Sequence, residues 1–131
     1  MGTFNANILP TTTGLSLGSS TQQWLLNGTK ALVSQVNPIP FSASPVFLGT
    51  SPFSIFTMTL TGNVTSSSLN VPIGLVIFQF TQDSTGSRTF VWPASVNGAA
   101  TVQGPANQVF TQIFYYDGTN AWALGPGVTW P

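Results

Sequence analysis

From Phe53 onward the chain alternates. In "FTMTLT" the apolar Phe56, Met58 and Leu60 alternate with Thr57, Thr59 and Thr61, which predicts a strand with one buried and one hydroxylated face. "TGN" then turns the chain. "IGLVIFQFTQ" has Val76, Phe78 and Phe80 on one side and Leu75 and Ile77 on the other. Apolar residues on both faces imply a strand covered twice, by the core and by a neighbouring subunit. "DSTGS" reads as a turn and "RTFVW" as the returning strand, stopped by Pro93. "ASVNGAATVQGPAN" reads as a small-residue loop with a short strand at Ala100 to Val102. "VFTQIFYY" alternates again, "DGTN" supplies a tight turn, and "AWAL" pairs back before the tail "GPGVTWP".

The N-terminal part is different. Residues 1–20 carry Gly, Pro and a Thr run among scattered apolar positions, the pattern of an extended arm. "TQQWLLNGTKALVSQV" could place Trp24, Leu25, Leu32 and Val36 on one helical face, but Asn27-Gly28 favours a turn, so a hairpin fits equally well. "NPIPFSASPVFLGTSP" has four prolines, which argues against helix and central strand. The expected organisation is an extended arm over 1–36, a Pro-rich linker over 37–52 and an antiparallel β domain over 53–131. Short strands between turn signals, with no helical crossover to serve a parallel sheet, predict an all-β fold: an antiparallel β-sandwich or a barrel-like module.

Charge changes the picture most. Lys30, Asp83, Arg88 and Asp117 are the only charged side chains among 131 residues, and net charge is zero. Soluble proteins carry roughly 25% charged residues, whereas here the figure is 3% beside 42% apolar. Such a chain folds, but its neutral surface favours association with copies of itself. Two cations cannot neutralise a nucleic-acid backbone, and "VPIGLVIFQF" is too short for a membrane-spanning helix.

Candidate chemistry is sparse. The chain has no His, Cys or Glu, so nucleophile–base arrangements and tuned acid–base pairs lack their parts. Asp83 and Arg88 are expected as a turn-capping ion pair, and two isolated carboxylates make no metal cage. Neither a cofactor nor a metal is expected. Trp24, Trp92, Trp122, Trp130, Tyr115 and Tyr116 are the candidate glycan platforms, with interface anchoring or core packing as their other use.

Three segments, "FTMTLTGNVTSSSLN", "QDSTGSRTFVWPASVNGAATV" and "FYYDGTNAWALGPGV", resemble a β-structured module of bacteriophage virion proteins, tail-fibre proteins above all. "ILPTTTGLSLGSSTQQW" is similar to a leader segment that precedes such modules, with Gln23 where a basic residue is common. A second departure is Ala121, inserted before Trp122. The resemblance implies a homotrimeric, fibre-like β assembly with no catalytic residues to carry over.

The expected function is a non-enzymatic virion structural protein: fibre, tail component or capsid decoration. It would assemble with itself and with other virion proteins. "MGTFNANILPTTTG" shows no secretory signal, so the expected place is the virion surface after synthesis in the host cytoplasm. The alternatives are a module binding a host-surface glycan and a cellular extracellular filament subunit that donates its N-terminal strand.

Overall fold

The computed structural model describes residues 34–131; the expected arm at 1–20, Trp24, Lys30 and most of the helix-or-hairpin segment lie outside the described residues. The strands among the described residues are β1 (Ser34–Pro38), β2 (Val46–Leu48), β3 (Phe53–Leu60), β4 (Ser68–Asn70), β5 (Gly74–Gln82), β6 (Val96–Asn97), β7 (Val109–Tyr116), β8 (Ala121–Ala123) and β9 (Val128–Trp130).

Their pairing corrects the expected sandwich or barrel. β1, β3 and β5 stack in parallel, with Ser34 opposite Phe53 and Phe53 opposite Leu75. β2 and β4 form a second parallel stack, and Val64 bridges Phe90 in parallel at a third corner. The chain therefore coils, with a repeat of about 20 residues, into a parallel β-solenoid of about four turns. A lack of helices counts against parallel pairing in a sequence, since parallel strands need a long crossover. Here each crossover is a corner, a short strand and another corner, so the return path is itself part of the coil. The segment 37–52, read as linker, supplies β2 and the fully buried Phe47.

"RTFVW" is likewise no hairpin return. Its Phe90 makes the parallel bridge to Val64, and the antiparallel neighbour of β5 is β7, with Gly74 opposite Tyr116. β8 pairs antiparallel with β7 across the Asp117–Asn120 turn, and β9 pairs with the other end of β7. β6 lies parallel to β8. This antiparallel end closes the coil.

The interior is aromatic. In-register pairing sets Phe56 on Phe78 with ring centroids 5.6 Å apart and stacked. Phe47 meets Phe78 edge-on at 5.1 Å, and Phe114 meets it at 5.7 Å. The buried Gln112 amide is fully used. Its Oε1 accepts from the Ala100 N–H while Nε2 donates to the Gly98 and Gly125 carbonyls. Such satisfaction is what makes burial of an amide tolerable.

Gly74 opens β5 at φ 152°, and a Cβ there would strike the Pro52 carbonyl. That carbonyl accepts the Leu75 N–H at 2.8 Å, locking one coil to the next. Only glycine allows this approach.

Phe78→Ala removes the ring shared by five aromatic neighbours and should cost about 3–5 kcal/mol in urea unfolding. Val91→Ala, at an exposed position, should stay within about 0.5 kcal/mol.

Candidate functional site

Alternation that turns Phe56, Met58 and Leu60 inward turns their neighbours outward. In-register pairing then aligns the outward side chains in rows across the sheet. One row runs Phe53, Leu75, Tyr115, Trp122. The next runs Val36, Ile55, Ile77, Ile113, with the Leu124 N–H bonded to the Ile113 carbonyl at its end. A third holds Pro38, Thr57, Gln79, Thr111 and Val128, and a fourth Thr59, Thr81, Val109 and Trp130. No charged residue occurs in any row.

The face is only partly covered. Tyr115 is 42% exposed, Trp122 47% and Trp130 57%. Leu75, Ile55, Ile77 and Ile113 are half-buried by their neighbours in the sheet. Beside Trp130 and Pro126 the face sinks into a shallow apolar groove of about 190 Å³ floored by Ile77 and Ile113.

Trp122 is fixed in place. Asp117 Oδ1 accepts from the Thr119 and Asn120 N–H groups at 2.8 and 2.7 Å, and Oδ2 accepts from the Trp122 indole N–H at 2.9 Å. The turn thus builds itself around a carboxylate whose free oxygen orients the indole on the outward face. These bonds, the Asn120 amide foremost and the indole next, hold the Asp117 carboxyl below the ordinary aspartate range.

The second carboxylate is equally occupied. Arg88 donates from Nε and Nη2 to Asp83 Oδ2 at 3.1 and 2.8 Å, while Oδ1 accepts from Thr85 and Gly86. The Arg88 bond is the main cause of a lowered Asp83 pKa. Beneath it, Gln82 pairs its amide with both backbone groups of Arg88. Gly86, at φ 73°, lies where a Cβ would meet the Ala106 backbone.

The six candidate aromatics therefore separate. Trp92 packs edge-on to Phe78 and donates to the Ala100 carbonyl at 2.9 Å, and Tyr116 lies against the core. Tyr115, Trp122 and Trp130 share the outward face, and Trp24 lies outside the described residues. Phe53 and Ile55 are not singled out by the sequence; the apolar outward positions Leu75 and Ile77 are the signal that leads to them. Among the described residues no three His, Cys, Asp or Glu side chains gather as metal ligands.

Both aspartates have lowered pKa values, so below about pH 4, the unfolded aspartate value, the unfolded chain binds more protons than the folded one. Stability should be flat from neutral pH down to about pH 5 and fall as the pH drops through the folded values. Urea midpoints against pH check this, and Asp83→Asn with Asp117→Asn should flatten the acid limb.

No protein-family model, curated protein or solved structure matches this chain.

Proposed function

We propose that this chain is a non-enzymatic structural protein that assembles with itself at the surface of a bacteriophage particle. Fibre, tail and capsid-decoration roles all fit. The observation that carries the reading is the outward sheet face: apolar rows, no charge, and aromatic side chains half in solvent. Such a surface gains about 25 cal/mol for each Å² of apolar area covered, and without charge nothing repels a like surface.

The motifs behind the phage resemblance support a scaffold. In "QDSTGSR" the Gln82 amide, the Asp83 carboxylate and the Gly86 backbone each build the turn. In "DGTNAW" Asp117 does the same and adds Trp122. The residues that carry this resemblance are turn-makers here, with both carboxylates occupied by internal hydrogen bonds.

A second reading has its own observation. Indole orientation by Asp117 next to Tyr115 makes a fixed aromatic platform of the kind on which the apolar face of a neutral sugar stacks. Tryptophan fluorescence titrated with neutral host polysaccharide, with Trp122→Ala as control, tests it.

Sedimentation of the 13.8 kDa chain should give an oligomer, unchanged between about 0.05 and 1 M salt because no interfacial charge is there to screen. A monomer at both salt concentrations, or dissociation on adding salt, contradicts the reading.

A further inference from the structure

We infer that the occupant of the outward face is a second copy of this same chain, docked through the sheet face and not through a strand edge. This rests on the self-assembly reading and names the surface that performs it.

Area comes first. Five strand positions at about 4.8 Å and four outward rows about 6.8 Å apart give a face roughly 24 Å on a side, about 570 Å². Two copies would cover about 1,100 Å² in total, above ordinary lattice contacts and at the lower bound for a specific interface.

Charge comes second. The three charged residues described, Asp83, Arg88 and Asp117, all sit in turns outside the rows. A partner recognised by ionic pairing finds nothing here, whereas a copy of this face finds apolar rows beside rows of Thr and Gln that can hydrogen-bond to one another. Every strand under the face is already paired on the sheet, so docking covers side chains without stripping water from unpaired backbone.

The edges are protected. β1 ends at Pro38 with Pro40 close behind, and the opposite edge is made of the two-residue β6 and of β9, three residues long between Pro126 and Pro131. Short edges with proline resist strand addition. The first two rows of the face carry no comparable device, since neither holds a charge or a proline.

The test uses the full chain, whose lack of cysteine leaves introduced thiols as the sole labels. Ile77→Lys puts a charge at the centre of the face and should weaken association about 100-fold, giving folded monomer by sedimentation and circular dichroism. Val91→Lys, exposed but off the face, should assemble as wild type does. Ala94→Cys, at an exposed position outside the rows, is the reference label. Gln79→Cys should react with a maleimide at least about tenfold more slowly in the assembly than this reference, and lose that protection on dilution to monomer.

An Ile77→Lys variant that still assembles overturns the inference and leaves self-assembly standing. So does a Gln79→Cys thiol that labels freely in the oligomer. Protection that survives in monomer overturns it too, assigning the cover to this chain's own residues 1–33. If Ile77→Lys does not fold, the dilution dependence of Gln79→Cys labelling decides. A monomeric wild type overturns both the inference and the reading beneath it, and saturable binding of neutral polysaccharide by that monomer establishes the sugar platform in their place.

Discussion

In-register parallel pairing of β3 on β5 is the constraint from which the rest follows. It sets Phe56 on Phe78 and Met58 on Phe80 on one side of the sheet, and Phe53 on Leu75 and Ile55 on Ile77 on the other. One alignment therefore makes both the aromatic core and the outward apolar rows. A slip of one residue would send Phe78 to solvent and Ile77 inward. Phe78 could not bear it, because Phe47, Trp92 and Phe114 close around that ring from three other segments.

The same economy governs the polar groups. With four charges in the chain, hydration and turn-building fall to amides, hydroxyls and backbone. Gln82 and Gln112 act as pieces of strand in places where the backbone cannot reach, the first pairing with Arg88 and the second bridging two loop segments. Asp83 and Asp117 stand at the two turns where several N–H groups converge, and a carboxylate accepts more of them than a neutral side chain would. Among the described residues, charge survives where it organises backbone and is absent from the open sheet face.

Much of this was legible in the sequence, and what was not has a physical cause. Alternation located β3, β5 and β7 and their inward faces, and "DGTN" located the β7–β8 turn, because these are local signals. The direction of pairing is not local. "QDSTGSRTFVWP" reads as a hairpin since its turn residues truly turn, yet Phe90 continues around a corner to Val64 and never returns to β5. Prolines in 37–52 indicated irregular chain, which holds for the corners, but three residues between them suffice to deliver Phe47 to the core. The two-sided apolar character of Leu75 to Phe80 did carry the site, as a demand for a second cover. What it lacked was the register that joins Leu75 to Phe53 and Tyr115, and so turns two residues into a face.

How the coil ends explains why that face matters more than the edges. A solenoid grows by adding coils, and an open end is a template for further strands. β7 stops the growth by running antiparallel, yet its register keeps inward and outward faces aligned, with Phe110 on Phe80 inside and Ile113 on Ile77 outside. The cap thus extends the apolar rows while ending the coil, and β8 and β9, each paired to β7, place Trp122 and Trp130 at the margin of the face. Association through strand ends is heterologous and can run on without limit, whereas a face that docks on a copy of itself is isologous and closes on two. In the proposed assembly that closure falls to the face, broad, free of charge and bounded by short edges.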